Sequence, residues 1–105
     1  MIRVTDESGV RVLSLSRPPD NALSVGLLAE LTTALSSAPA DASVKGLVLA
    51  SENPKVFSAG LDLGELSPEA GLGTAPFRSL IAAHRALAAF PKPTGAAVDG
   101  LAVLG

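Results

Sequence analysis

The sequence predicts an α/β fold in which parallel strands are joined by helical crossovers, and three observations carry that prediction. The run Gly46–Ser51 is short, apolar and β-rich, follows a helical pattern, and that pattern is itself preceded by two strand-like runs. Strand, helix, strand in that order is a right-handed crossover unit. A second helical pattern over residues 77–88 then leads to another β-prone stretch, residues 94–98, expected as a third crossover strand. Each of these strands empties into a bend of small residues, and ligands of open parallel sheets bind beyond the carboxyl ends of strands.

Taken in order, Ile2 and Val4, then Val10, Val12 and Leu15, mark two strands separated by Glu7-Ser8-Gly9, a hairpin turn. Pro18 and Pro19 stop the second strand. Leu27, Leu28, Leu31, Ala34 and Leu35 then fall on one face of a helix that Ser24 is placed to cap, with Gly26 weakening its first turn. Ala38-Pro39-Ala40-Asp41 ends it. The composition of Gly46–Ser51 predicts a strand buried on both faces. Residues 67–74 are polar and Gly-rich, a surface loop. Phe77, Leu80, Ile81, His84, Leu87 and Ala88 recur at helical spacing until Pro91 and Pro93. No internal repeat or composition shift divides residues 1–105, which are expected to form part of a single domain.

With 48% hydrophobic residues the chain has material for a modest core. Eight basic against ten acidic residues leave a net charge of -2, so no basic footprint points to nucleic acid or an anionic membrane, and Tyr and Trp are absent. No cysteine is present, which removes thiol and disulfide chemistry. The apolar runs fall short of the ~20 residues a membrane span needs. The acidic, alternating start, Met1-Ile2-Arg3-Val4-Thr5-Asp6-Glu7, differs from a targeting presequence, so the expected setting is cytoplasmic, with mitochondrial or peroxisomal as the alternative.

The chemistry is expected at residues 53–66. Here the predicted strand passes through Val56-Phe57-Ser58-Ala59-Gly60-Leu61-Asp62-Leu63 into a helical turn. Ala59 and Gly60 let another molecule approach the main chain, and an irregular strand-to-helix bend leaves N–H groups without carbonyl partners. There is no Ser-His-Asp set and no cluster of His and carboxylates at metal spacing. Chemistry here therefore rests on backbone N–H donors polarising a ligand, with the proton-transfer group supplied from elsewhere.

Phe57-Ser58-Ala59-Gly60-Leu61-Asp62-Leu63 resembles the first signature of the enoyl-CoA hydratase/isomerase, or crotonase, superfamily. Arg17-Pro18-Pro19-Asp20-Asn21-Ala22-Leu23-Ser24 is similar to its Pro-x-x-Asn-x-Leu segment, and Lys92-Pro93-Thr94-Gly95-Ala96-Ala97-Val98-Asp99-Gly100 to its Lys-Pro-x-x-Ala-x-x-x-Gly segment. The three stand in the family's order and spacing, and the look is closest to the enoyl-CoA delta isomerase branch. The resemblance implies a crotonase-like ββα spiral, here only its amino-terminal, truncated portion.

It also implies an acyl-CoA or enoyl-CoA thioester as substrate, undergoing double-bond isomerisation or hydration. The thioester oxygen would be held by two backbone N–H groups, matched residue by residue to Leu61 and Gly105. Negative charge develops on that oxygen, which is where N–H donors act. Binding contacts carry over to Ala22, Ala59, Gly60, Asp62 and Leu63, with residues 59–63 wrapping the adenine and pantetheine side. For Asp62 a helix N-cap is the favoured side-chain role beside ligand contact. No metal or redox cofactor is implied, CoA being part of the substrate.

Lys92 reads as a solvated loop charge before a contact for CoA phosphates. His84 reads as a helix-face partner of Leu80, Leu87 and Ala88 before a general base. The family's catalytic carboxylates match positions beyond Gly105, and Leu104 stands where the pattern prefers glycine. Asp20, Glu65 and Glu69 are the carboxylates near the first bend that a substitute base would have to come from. The further strands, helices and trimer contacts of the family are likewise expected outside these residues, leaving sheet edges open and the chain marginally stable or self-associating. Alternatives to an enzyme are a catalytically inactive acyl-CoA- or protein-binding module, and a non-functional truncated product.

Overall fold

The computed structural model describes residues 1–98 and 100–102. Strands β1 (Ile2–Glu7) and β2 (Val10–Leu15) form an antiparallel hairpin in the register Ile2↔Leu15 to Glu7↔Val10. Ser8 and Gly9 close it with φ of 52° and 84°, the positive pair that a two-residue primed turn requires. Helix α1 (Val25–Ser37) crosses to β3 (Gly46–Ser51), which runs parallel to β2 with Leu13 opposite Leu49. Strand β4 (Val56–Ser58), helix α2 (Leu63–Leu66), a 3-10 turn (Pro68–Ala70) and helix α3 (Ala75–Ala88) follow. Strand β5 (Thr94–Ala96) then joins parallel to β3, giving the order β1-β2-β3-β5. Strand β6 (Leu101–Ala102) pairs with β4 in a separate two-stranded sheet.

Ser24 caps α1 as its position predicts, its hydroxyl accepting from the Leu27 N–H at 3.0 Å. The α1 face that the spacing marks is the one that goes inward: Leu27, Leu28, Leu31 and Leu35 are all buried. Each such leucine is worth about 2 kcal/mol relative to exposure. They meet Leu13, Leu15 and Leu47 from one face of the sheet, with Ala83 and Phe90 from the second helical region.

Three expectations are corrected. Val56 and Phe57 are expected only to flank a Ser58-Ala59-Gly60 bend, yet residues 56–58 form β4; three residues are too few for a strand period to show, and the partner β6 lies more than forty positions on. Strand β3 was expected buried on both faces, but only Leu47 is fully buried. Val48 and Ala50 point to the side away from Leu47, and there, as at Val12 of β2, they are only half-buried. Finally, α3 buries Pro76 and Ala83, with Leu80, Ala86 and Leu87 partly covered, while Phe77, Ile81, His84 and Ala88 are exposed. Residues 76, 80, 83 and 87 form one stripe, and the small Ala83 lets that stripe approach α1. The exposed set lies about one residue's rotation around the helix.

Strand β5 is exposed along its length, at the margin of the four-stranded sheet. Gly100 has φ 129°, and a Cβ there would overlap the Lys55 carbonyl and come within 3.0 Å of the Val56 nitrogen, so the chain beside β6 approaches β4 as only glycine permits. Among the described residues no helix is long and apolar enough to cross a membrane.

Candidate active site

Two segments, residues 17–25 and 57–66, are stitched together by directional bonds. Asn21 sits at the centre, 2% exposed with φ 54°, a left-handed conformation that asparagine tolerates. Its Oδ1 accepts from the Arg17 N–H at 2.8 Å, and its Nδ2 donates to Ser51 Oγ at 2.7 Å and the Phe57 carbonyl at 3.0 Å. The buried Ser58 hydroxyl donates to the Asn21 carbonyl at 3.0 Å and accepts from the Gly60 N–H at 3.1 Å. The Ala59 N–H reaches the Asp20 carbonyl at 3.0 Å. Among the described residues no buried side-chain nitrogen or oxygen lacks a hydrogen-bond partner, as a low-dielectric site demands.

The next residues form a parallel bridge between Leu23 and Leu61. The Leu23 N–H donates to the Gly60 carbonyl at 2.7 Å, and the Asp62 N–H to the Leu23 carbonyl at 3.2 Å. In a trans peptide the carbonyl and the N–H point in opposite directions. With the Gly60 carbonyl turned toward Leu23, the Leu61 N–H of the same peptide is turned away from it, and among the described residues it finds no acceptor. Gly60 makes this turn at φ 86°, where a side chain is strained. Leu61, whose N–H has no acceptor among the described residues, is one of the two positions to which the resemblance carries an oxyanion contact. The other, Gly105, lies outside the described residues, as does Asp99.

Asp62 is the N-cap of α2, its Oδ1 accepting from the Gly64 N–H at 2.9 Å and the Glu65 N–H at 3.3 Å. Its other oxygen accepts from the Arg17 guanidinium at 2.8 Å, and Arg17 also donates to the Ala22 carbonyl at 2.9 Å. The Arg17 hydrogen bond, with the two capping amides, holds the Asp62 carboxyl below the usual aspartate range. Glu65 Oε1 accepts from the Val25 N–H at 2.8 Å, so a carboxylate of α2 satisfies an orphan donor in the first turn of α1.

A polar cavity of about 320 Å³ opens over this seam, lined by Arg17, Pro18, Pro19, Asp20, Ala22, Ala59, Leu61, Asp62, Leu63 and Gly64. The expected binding residues Ala22, Ala59, Asp62 and Leu63 are therefore brought together with Leu61, and Gly60 lies buried beside them. A second, apolar cavity of about 290 Å³ lies between α1, α3 and the sheets, walled by leucines, Phe57 and Ala102 and lined also by His84.

Lys92 is neither a loop charge nor placed at this cavity: its ammonium donates to the carbonyls of Asp41 and Val44, closing the turn before β3. Of the carboxylates weighed as substitute bases, Glu65 caps α1, Glu69 takes the Ser67 hydroxyl and Asp20 accepts from the Ala22 N–H at 3.2 Å. The side-chain roles of Arg17, Asn21 and Ser58 went unread in the sequence. An asparagine between prolines and a leucine run, where the chain must reverse, is the signal that marks Asn21.

The Enoyl-CoA hydratase/isomerase family model matches residues 5–105. Rat mitochondrial enoyl-CoA delta isomerase 1 is 39% identical over 66 residues, which are 63% of this chain and 23% of that protein. Human mitochondrial methylglutaconyl-CoA hydratase is 36% identical over 102 residues, 95% of this chain and 30% of that protein. The crystal structure of human mitochondrial delta3-delta2-enoyl-CoA isomerase superposes with a TM-score of 0.84 at 32% identity, covering 94% of this chain and 40% of that one. The chain thus spans between about a quarter and two fifths of the length of these relatives. Sequence signatures, parallel α/β topology and whole-chain match agree: the chain belongs to the enoyl-CoA hydratase/isomerase family and carries part of its crotonase fold.

Proposed function

We propose that residues 1–105 form an acyl-CoA-binding part of an enoyl-CoA isomerase or hydratase. The Leu61 N–H serves as one oxyanion donor, Gly105 is the matching second donor, and the proton-transfer carboxylates come from outside these residues. The observation that carries the reading is the Leu61 N–H, held by the Leu23 bridge with no acceptor among the described residues and beside the polar cavity. A preorganised donor of this kind is worth about 3 to 4 kcal/mol to a developing thioester enolate. CoA enters as part of the substrate. The names of both curated relatives are mitochondrial; a cytoplasmic setting is proposed here, with the mitochondrion or the peroxisome as its alternative. A homo-oligomer, expected from the family, is read by size exclusion.

Calorimetric titration with a medium-chain enoyl-CoA, followed by an absorbance assay of the same sample, tests this. Binding without turnover is the expected result for residues 1–105. A change in the enoyl absorbance, a loss on hydration or a gain when the double bond moves into conjugation, would show a base within the chain, to be found by replacing Asp20, Glu65 and Glu69 with alanine. A folded sample that binds nothing would sink the proposal. A non-catalytic acyl-CoA-binding module is the second reading, favoured because Asp62 and Glu65 are already committed to structural bonds.

A further inference from the structure

The polar seam contains one ion pair, and its placement assigns it a task. Arg17 stands at the start of one segment and Asp62 directly follows Leu61 in the other. The Leu61 peptide is fixed on one side by the Leu23 bridge, through the Gly60 carbonyl and the Asp62 N–H. On the other side the Asp62 side chain is held between Arg17 and the first amides of α2. We infer that the Arg17–Asp62 pair is a positioning device that sets the direction of the Leu61 N–H, and through it the recognition of the thioester carbonyl. This rests on the acyl-CoA reading above. Arg17 is a positioning residue here, because its guanidinium is already neutralised by Asp62 at 2.8 Å and occupied by the Ala22 carbonyl at 2.9 Å. An anion such as a CoA phosphate would there meet a charge already paired with a carboxylate.

Reaching Asp62 and the Ala22 carbonyl from one side chain uses the arginine fork, which lysine does not reproduce. Arg17→Met removes the pair and leaves the Asp62 cap in place; Arg17→Lys keeps the charge but provides a single point of contact. Two measurements on the ¹⁵N-labelled chain and its variants decide the matter. Without ligand, Arg17→Met is expected to shift the Leu61 amide resonance and to speed exchange of the Asp62 N–H about tenfold, with amides of the β2–β3 pairing unchanged; local opening of one bridge produces that pattern. With ligand, it is expected to weaken enoyl-CoA binding about tenfold while free CoA weakens less than about twofold, and Arg17→Lys falls between. The ¹³C resonance of a labelled thioester carbonyl moves back toward its free value in the same order.

Unchanged Leu61 and Asp62 amides would overturn the inference, as would equal weakening of CoA and enoyl-CoA, which would make Arg17 a ligand contact or a general support. If the unmodified chain binds no enoyl-CoA, the acyl-CoA reading falls, and the ligand-free amide measurement still decides whether the pair directs Leu61.

Discussion

The molecule is held together in two different ways in two adjoining regions. Between α1, α3 and the sheet, cohesion comes from leucines: Leu13, Leu27, Leu28, Leu35 and Leu47 are each 2% exposed or less. Along the seam of residues 17–25 and 57–66, where Leu23, Phe57 and Leu61 reach the edge of that core, the two segments are joined by hydrogen bonds, each with one permitted direction. Burial is non-directional and scales with area, so it stabilises without placing any atom closely. Hydrogen bonds contribute about 1 kcal/mol each net, but they fix orientation. A donor that must point at one oxygen is better positioned by the second kind, and the unpaired Leu61 N–H lies in that region.

Leu27→Ala is expected to have the largest effect on the leucine layer. This side chain is 0% exposed in the middle of the leucine layer, so the loss should be about 2 to 5 kcal/mol, read from urea or thermal unfolding. At temperatures where the variant remains folded, enoyl-CoA affinity should stay within about threefold of the parent. A large affinity change in a folded sample would show that the leucine layer also directs the seam.

Asn21→Ala is the corresponding cut on the polar side. It leaves the Phe57 carbonyl and the Arg17 N–H without that partner and removes one of several bonds at the Ser51 hydroxyl, at an expected cost of about 2 to 3 kcal/mol. Unlike Leu27→Ala, it should also lower enoyl-CoA affinity in the fraction that remains folded. If stability falls and affinity does not, the seam is scaffold only.

Much of this division was legible before any coordinates. The 3.6-residue period of Leu27, Leu28, Leu31 and Leu35 marks the core face of α1, and the β-rich run to Ser51 marks the parallel strand, because burial writes itself into spacing. The position of the bend was legible too, from Ala59, Gly60 and the family signature around them. The partners of the seam were not. Arg17 meets Asp62 across 45 positions and Glu65 meets Val25 across 40, and long-range side-chain to backbone pairing leaves no periodic trace. The outer face of α3 was misread for a related reason: Phe77 and Ile81 are apolar and helically spaced, yet Ala83 decides which stripe meets α1. Strand β4 was missed because it is defined by its pairing with β6.

Gly60→Ala sharpens the comparison at a single peptide. At φ 86° a Cβ costs about 1 to 2 kcal/mol, and relief requires rotating the Gly60–Leu61 peptide. The rotation would pull the Gly60 carbonyl off the Leu23 N–H and turn the Leu61 N–H with it. The expected result is a modest drop in melting temperature with a disproportionate loss of enoyl-CoA over free CoA binding. Equal losses for both ligands would place the thioester contact elsewhere.

Acid provides the mildest test. Asp62 is held below the usual aspartate range first by its Arg17 hydrogen bond, and Asp6 likewise by Arg11, while Asp41 is lowered mainly by the Ser43 hydroxyl and amide. A depressed folded-state pKa means the unfolded chain binds protons more readily. The contribution is therefore complete above the ordinary aspartate value, ~3.9, and disappears as pH falls through the lower folded value. Stability should be flat from pH 7 to about 5 and decline below about 4, with under about 1 kcal/mol from Asp62 because its pair is partly open to solvent. Arg17→Met should flatten the Asp62 part of this decline and leave that from Asp6 and Asp41. Followed by the Leu61 amide resonance, the parent should move in acid toward the position that Arg17→Met already holds at neutral pH. A leucine-layer reporter such as a Leu28 methyl should stay fixed over the same range, because no carboxylate contributes to that region's cohesion.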